Sequence, residues 1–328
     1  MDSITMLLAS NDCDEIPIID MEVSATAGDD ILRAFSSIGF ATLTNHGIPQ
    51  SVMARAFEAS KRFFSLPLDQ KLKRSYEGHE SNRGYIPMGC EAFTLESPEK
   101  KETFDIGNEE EVGFHNKWPT DELTVSFKEV MLEYFERFDA LHLRIMKLLA
   151  VAWNMPDENF FVDRCNEKHA NLRLLHYPSV VRTRGGFVQR GAVHTDFGTL
   201  TLLTQDSVGG LRAQRVDGTW VTVPPIPGSI VINVGDMFQR WSNNVLRATP
   251  HQVVELPTSP NDGRGSDTHG EPIPERYSIA FFCNANKDVL LECLDQCVSE
   301  ENPARYPAVN AHDYLTMRLS QTISSGQN

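Results

Sequence analysis

The sequence predicts a mainly β protein with flanking helices, in which a barrel or jelly-roll core packs against one long helix. Three observations lead to this prediction. Short apolar or alternating runs separated by Gly, Pro, Asn and Asp fill the chain after Asn171, which is typical of antiparallel strands. Asp217-Gly218 lies between two of these runs and predicts a hairpin turn. From Thr124 to Trp153, apolar residues recur every three or four positions, which predicts one amphipathic helix.

The N-terminal part mixes helices with a short strand. Apolar residues at helical spacing predict a helix over residues 29–40 and another over residues 51–64. Between them, the apolar run of residues 40–44 predicts a strand. A further helical turn is expected over residues 66–72, started by Pro67, because proline suits the first position of a helix.

We divide the chain into an N-terminal mixed α/β region, residues 1–120, packed on a catalytic core, residues 121–328. The predicted strands of that core are Leu172–Tyr177, Thr199–Thr204, Leu211–Gln214, Trp220–Val223, Ile230–Val234, His251–Leu256 and Arg276–Cys283. Pro257–Pro274 is polar and has no periodicity, which predicts an exposed loop. A small-molecule site in such a fold lies in the mouth of the core.

The charge and the termini limit the possible partners. The net charge is −15, which argues against nucleic acid because phosphates demand a basic surface. Residues 1–15 lack a positively charged start, and no apolar run of about 18 residues or more occurs, so we expect neither a secretory signal nor a membrane span. The six cysteines have no disulfide or zinc-finger spacing. We therefore expect a cytoplasmic protein that acts on a small-molecule substrate and has no obligate protein partner.

The most informative pattern is His194-Thr195-Asp196 together with His251. Residues two apart on an extended segment point to the same side, so His194 and Asp196 can bind one cation. His251 begins another apolar run and completes a set of two imidazoles and one carboxylate. Such a set leaves coordination positions open, and open positions are typical of catalytic metal sites.

Arg276 and Ser278 share one face of a predicted strand. A guanidinium binds a carboxylate through two parallel hydrogen bonds, and a neighbouring hydroxyl adds a third donor. A small dicarboxylate could therefore bind the metal at one end and Arg276 at the other.

In this order, His194-Thr195-Asp196, His251 and Arg276-Tyr277-Ser278 resemble the iron(II)- and 2-oxoglutarate-dependent dioxygenases of the isopenicillin N synthase-like group. The resemblance covers nearly the whole chain. It includes Ile16–Asp20, Gly39-Phe40, Asn45–Pro49, Asn82–Tyr85, Arg173–Pro178 and Trp241–His251. The amino-acid sequences of several of these segments are most similar to those of fungal members, which include thymine hydroxylase and oxygenases of natural-product pathways. The chain departs from plant members at Leu175, where they commonly have Asn.

The resemblance implies a double-stranded β-helix core and an iron(II) ion held by the two histidines and the aspartate. It also implies that Arg276, Ser278 and Tyr177 bind 2-oxoglutarate, with O2 as the oxidant. The expected reaction is hydroxylation of an aliphatic C–H in a small aromatic or heterocyclic molecule of fungal secondary metabolism, with succinate and CO2 as co-products. Related members also carry out desaturation, cyclisation and ring expansion.

Six residues are predicted to reach the substrate, because they share a strand face with Tyr177 or offer an aromatic ring near the motifs. They are Asn171, Arg173, Phe197, Trp241, Phe282 and Tyr85. His176 alternates with Tyr177 and is expected to face away as a structural residue.

Four alternatives stay open at this point. A pyrimidine hydroxylase of the thymine type would use the same site. An oxidase of isopenicillin N synthase type keeps the metal ligands but uses no 2-oxoglutarate. A zinc hydrolase also uses two His and a carboxylate, but it would lack a general base and give Arg276 no role. A binding protein on the same scaffold would not need the full set of motifs.

Overall fold

The computed structural model describes residues 15–22, 24–78, 82–90, 100–120, 122–181, 189–255 and 272–321. The helices in this part of the chain are α1 (Ser24–Ser37), α2 (Gln50–Phe64), α3 (Leu68–Leu72), α4 (Phe127–Ala152), α5 (Asp236–Trp241) and α6 (Ala311–Ser320). The strands are β1 (Ile18–Asp20), β2 (Phe40–Thr44), β3 (Gly84–Ile86), β4 (Glu102–Gly107), β5 (Ala170–Tyr177), β6 (Val180–Val181), β7 (Gln189–His194), β8 (Leu200–Gln205), β9 (Leu211–Gln214), β10 (Trp220–Thr222), β11 (Ile230–Val234), β12 (His251–Val254), β13 (Pro272–Ile273), β14 (Arg276–Cys283), β15 (Leu290–Leu291) and β16 (Val309–Asn310).

Two antiparallel sheets form the core. The larger has the order β1-β2-β11-β8-β14-β5-β4-β3, and the smaller has the order β10-β9-β12-β7. Among these strands only β1 and β2 pair in parallel. Leu175 and Ala280 from the large sheet share one apolar cluster with Leu211 and Val253 from the small sheet. The sheets therefore pack face to face as a jelly roll, which confirms the predicted fold class.

The large sheet is buried on both faces, so side-chain parity decides where each residue lies. In β14, Ile279 and Phe281 belong to the core beneath the helices, whereas Ser278 and Phe282 line the cavity between the sheets. The same alternation runs through β5, where Leu174 joins the helical side. Because β14 pairs with both β5 and β8, its cavity-facing residues lie in cross-strand rows.

Helix α4 packs along the outer face of the large sheet. Phe135 contacts Phe281 edge to face at a centroid distance of 5.0 Å. Phe138 stacks on Tyr134 at 4.0 Å, and both rings are fully buried. Aromatic pairs of this kind add to the burial of their apolar area. The predicted long helix over residues 124–153 is confirmed, with its ends at Phe127 and Ala152.

The N-terminal region supplies both edges of the large sheet. β1 and β2 extend it beyond β11, and β3 and β4 extend it beyond β5. The 120/121 division of the chain stays a prediction. A buried carboxylate, Glu102 of β4, accepts hydrogen bonds from Lys71, Tyr85 and His176. Burial alone would raise the pKa of Glu102, but these three hydrogen bonds hold it below its usual value.

Most predicted strands agree with the structure, and Leu211–Gln214, Ile230–Val234 and Arg276–Cys283 have the predicted bounds. The Asp217-Gly218 turn joins β9 to β10 as predicted. Residues 257–271 of the predicted loop Pro257–Pro274 lie outside the described residues. Its end forms β13, which pairs with β6. Within the described residues, no helix is both long enough and apolar enough to cross a membrane.

Replacing Phe138 by alanine should lower the free energy of unfolding by about 3–5 kcal/mol, because the cavity left under the sheet cannot fully collapse. Chemical denaturation would measure the change. Val151→Ala is the control, because Val151 lies on the same helix and is 54% exposed. It should change stability by less than about 0.5 kcal/mol. Equal losses in the two variants would contradict the packing of α4 on the sheet.

Candidate active site

Three potential metal ligands meet at the open end of the two sheets. His194 ends β7 and His251 begins β12, and the two residues are direct partners in the antiparallel pair. Their ring centroids are 4.3 Å apart. Asp196 Oδ1 lies 3.7 Å from His194 Nε2 and 3.6 Å from His251 Nε2. These separations exceed hydrogen-bond length and suit three ligands that share one cation.

The sequence explanation for Asp196 was wrong in one respect. β7 ends at His194, so Asp196 does not follow it on the same strand. Its carboxylate is instead held in the following loop, where Oδ2 accepts hydrogen bonds of 2.7 Å from both Thr201 and Asn233. These bonds come from β8 and β11 and leave Oδ1 for the cation. The large sheet therefore orients a ligand that the small sheet's own strand cannot place.

Two glycines allow this loop to pack closely. A Cβ on Gly198 would lie 2.1 Å from the Cys283 carbonyl oxygen, and one on Gly235 would lie 2.2 Å from the Gly198 carbonyl oxygen. Both contacts are with backbone, which cannot give way as a flexible side chain can. A larger residue at Gly198 would push the loop that carries Asp196 away from β14, and one at Gly235 would displace Gly198 in the same loop.

Backbone carbonyls orient the two imidazoles. His194 Nδ1 is 2.8 Å from the Ala192 oxygen, and His251 Nδ1 is 3.1 Å from the Thr249 oxygen. Because a carbonyl can only accept, each Nδ1 carries the proton and each Nε2 keeps its lone pair toward the cluster. This is the usual outer contact of a metal-binding histidine.

The electrostatics of the cluster also suit a divalent cation. Burial, with a further contribution from His251, lowers the pKa of His194 to about 3, so its imidazole is neutral. Burial would raise the pKa of Asp196, but the two imidazoles and the hydrogen bonds from Asn233 and Thr201 outweigh it and hold the pKa below its usual value. A neutral imidazole at His194 and an ionised carboxylate at Asp196 suit metal binding, which requires deprotonated ligands. The residues present therefore fit the metal.

A basic pocket lies at one end of the same cavity. Arg276, Ser278 and Tyr177 all line it together with the metal ligands. Arg276 Nη1 donates to Ser278 Oγ at 2.9 Å, and its Nε donates to the Gly209 carbonyl at 2.8 Å. The guanidinium carbon lies 5.0 Å from the centre of the Tyr177 ring. All three side chains are buried.

Four of the six predicted substrate residues line the other end of the cavity: Asn171, Arg173, Phe197 and Phe282. Phe282 and Asn171 are cross-strand partners. Arg173 also makes a bidentate ion pair with the buried Asp105, with distances of 2.7 and 2.9 Å. Arg173 therefore lines the cavity and is held in place by an ion pair between neighbouring strands.

Trp241 and Tyr85 are placed elsewhere, which corrects the prediction that they line the cavity. Trp241 ends α5 and packs edge to face on Phe161 at 5.5 Å, behind the large sheet. Tyr85 lies on edge strand β3, where its hydroxyl donates to Glu102 at 2.5 Å. Proximity to a motif in sequence did not reveal which face of its element each ring occupies.

Several described lining residues were missed from the sequence. They are Asn82, Lys101 and Asn284 beside the sheet, and Leu315 and Leu319 on α6. One usable signal for α6 was Asn310, whose side chain caps the helix by accepting from the Asp313 N–H at 3.1 Å. An Asn three residues before an Asp is a recognisable helix start.

Known proteins are similar to this chain in sequence and in fold. Residues 16–121 match the family described as the N-terminal region of a non-haem dioxygenase in morphine synthesis, and residues 168–285 match the 2OG-Fe(II) oxygenase superfamily. A proline hydroxylase of Petromyces alliaceus is 37% identical over 305 residues, covering 89% of this chain and 92% of that protein. A 2-oxoglutarate-dependent dioxygenase of Aspergillus rugulosus is 34% identical over 312 residues, with the same coverage of 89% and 92%.

The crystal structure of the full-length thymine hydroxylase of Neurospora crassa in complex with alpha-KG, which is 2-oxoglutarate, aligns with a TM-score of 0.84 and 34% identity. The alignment covers 93% of this chain and 96% of that protein. This chain belongs to the 2OG-Fe(II) oxygenase superfamily. It is a 2-oxoglutarate-dependent dioxygenase of the fungal type, and His194, Asp196 and His251 are its iron(II) triad. The zinc-hydrolase and binding-protein alternatives do not fit this membership.

Thr201→Val should weaken iron(II) or cobalt(II) binding about ten- to hundredfold, because Asp196 Oδ2 loses one of its two hydrogen bonds. Anaerobic calorimetric titration of the metal would measure the change. Thr204→Val is the matched control on the same strand, since the Thr204 hydroxyl bonds to Tyr134 on the helical side. Wild-type affinity in the Thr201 variant would contradict the role given to this hydrogen bond.

Proposed function

We propose that Arg276, Ser278 and Tyr177 bind the distal carboxylate of 2-oxoglutarate in this enzyme. The observation that carries the proposal is that Arg276 is 1% exposed, yet none of its hydrogen bonds to described residues goes to a carboxylate. Its partners are the Gly209 carbonyl, the Gln205 amide and the Ser278 hydroxyl. Burying a cation without an anion is costly, so a bound carboxylate would compensate the guanidinium.

The donors that remain on Arg276 suit this ligand. A guanidinium has five N–H donors in a planar fork, and three hydrogen bonds to protein are present. Two donors are left for an anion, with the Ser278 hydroxyl beside them. Lysine at position 276 would keep the charge but lose the fork. The pocket therefore supports recognition of a planar carboxylate by geometry as well as by charge.

We infer that the substrate is a small, flat heterocycle that carries N–H groups. Phe282 and Phe197 provide aromatic surface in the cavity. Beside them, the Oδ1 atoms of Asn82 and Asn171 are buried with no hydrogen-bond partner among the described residues. The Asn171 amide nitrogen donates to the Asn82 carbonyl at 2.8 Å, which fixes its oxygen as an acceptor. Unpaired buried acceptors are costly, so a ligand with matching donors would be selected.

The proposed reaction converts the substrate C–H, O2 and 2-oxoglutarate into the alcohol, succinate and CO2. When bound, iron(II) supplies the activation of O2 and the transfer of one oxygen atom to carbon. The chain's own residues hold the carboxylate at Arg276 and orient the substrate ring between the aromatic and carboxamide groups. Packing of the two sheets around this cavity excludes water. Hydroxylation in fungal secondary metabolism is the main candidate function.

A pyrimidine hydroxylase is the second candidate function. It is favoured by the structure of the Neurospora crassa thymine hydroxylase in complex with alpha-KG and thymine, which aligns with a TM-score of 0.83 and 33% identity. Thymine is a flat ring with N–H donors, as the cavity wall requires. The two candidates differ in the substrate and share one site.

Arg276→Ala should raise the 2-oxoglutarate concentration needed for half-saturation by about ten- to a hundredfold or more, because a charge-assisted pair of hydrogen bonds is lost. Anaerobic titration of iron(II)-loaded enzyme, followed by the visible charge-transfer band of the chelate, would measure this. Arg55→Ala on the exposed face of α2 is the control. An unchanged titration in the Arg276 variant would assign the carboxylate to another residue.

Thymine, its two N-methyl derivatives, 3-methylindole and L-proline form a panel that tests the substrate class by succinate release. We expect the N–H heterocycles to be oxidised and N-methylation at the contacted nitrogen to lower kcat/KM at least about tenfold. Asn171→Leu should reduce this discrimination. Preference for L-proline, or equal rates for thymine and both methyl derivatives, would contradict the N–H heterocycle.

A further inference from the structure

The C-terminal helix α6 forms part of the cavity wall. Leu315 and Leu319, one turn apart, line the cavity that contains the metal ligands. Among the described lining residues, these are the only two that come from a helix; the others lie on strands or loops. Both leucines are half-buried. The apolar side of α6 therefore faces the space where the substrate is proposed to bind.

One arginine ties this helix to the metal-binding loop. Arg318 forms an ion pair with Asp236, and its guanidinium carbon lies 4.3 Å from the centre of the Phe197 ring. Phe197 directly follows the metal ligand Asp196 in the sequence. The side chains of Arg318 and Asp236 are 23% and 10% exposed, so solvent screens this pair much less than a surface pair.

The ion pair of Arg318 with Asp236 is called the anchor below. Asp236 also connects this anchor to the metal-binding loop by two further hydrogen bonds. Its carboxylate accepts from the Thr195 hydroxyl at 3.2 Å, and its backbone N–H donates to the Asp196 carbonyl at 2.7 Å. Arg318 also donates to the Tyr314 hydroxyl at 3.0 Å. The position of α6 is thus set by residues that flank an iron ligand.

The rest of α6 is only partly buried: Tyr314 and Leu315 pack against the core from half-buried positions. Ala311 is the one fully buried residue of this ten-residue helix, and helices of this length are marginal without tertiary packing. The exposed residues include His312, Asp313 and Met317. Few buried apolar contacts mean a low free energy of local opening. Arg318 therefore ties the last turn of α6, which also carries Leu319, to the metal-binding loop.

We propose that α6 is a closing wall of the substrate pocket and that Arg318 is the positioning residue that docks it. With the helix docked, Leu315 and Leu319 limit the size of the substrate and keep water from the reacting carbon. This inference rests on the proposed oxidation of a small molecule in the cavity. It adds specificity-determining residues that lie outside all the motifs of the sequence.

Hydrogen exchange tests the anchor without any substrate. Full-length enzyme loaded with manganese(II) and 2-oxoglutarate is compared with Arg318→Met, which keeps an aliphatic side chain but removes the charge. Exchange over residues 311–320 should become about tenfold faster, while β5 and β14 are unchanged. Met317→Gln, at a 46% exposed neighbouring position, is the matched control. Wild-type protection of α6 in Arg318→Met would overturn the anchor.

Substrate size selectivity tests the wall. The accepted panel compound and its homologue enlarged by one ethyl group are compared in wild type, Leu315→Ala, Leu319→Ala and Met317→Gln. Both leucine variants should shift the kcat/KM ratio toward the larger compound about tenfold or more, and Arg318→Met should release succinate without equivalent product. Ratios equal to that of Met317→Gln would overturn the wall. If wild type oxidises no compound of the panel, the substrate proposal fails, and the exchange result alone supports or overturns the anchor.

Discussion

Burial of the large sheet on both faces is the constraint on which the rest of this structure depends. One face packs on α4 and its neighbours, and the other face packs on the small sheet. In β14 the residues of one parity, including Ile279 and Phe281, pack on the helical side, and those of the other parity face the cavity. Arg276, Ser278 and Phe282 consequently lie in one line along the cavity wall. The order of these side chains along the cavity is therefore fixed by the pairing of the strands.

Much of this architecture could be predicted from the sequence, because period-two alternation and turn residues are local signals. The Arg276–Cys283 strand and its inward residues follow from alternation alone. Asp196 could not be explained this way, since its position depends on hydrogen bonds from Thr201 and Asn233 on strands of the large sheet. The His-Thr-Asp pattern identified Asp196 as a ligand, but the local geometry assumed for it, an extended strand, was wrong.

The errors over Trp241 and Tyr85 have the same origin. An aromatic residue close to a motif can pack on either side of its own element, and only the assembled layers decide which. Lys101, Asn82 and the two leucines of α6 reach the cavity from segments that carry no strand of the predicted core. Their contribution arises from tertiary contacts such as the ion pair of Arg318 with Asp236, for which one sequence offers no periodic signal.

The edge strands have a consequence for how the chain folds as it is synthesised. β2 pairs with β11, about 190 residues later, and β4 pairs with β5, which follows the whole of α4. β1 can pair with β2, and β3 with β4, but neither pair can join the rest of the sheet until much more of the protein has been made. Distant pairings of this kind slow folding, and unpaired edges invite aggregation. The N-terminal strand pairs of this enzyme thus wait for sheet neighbours made later, in contrast to the locally paired β9–β10 hairpin, which can form as soon as it emerges.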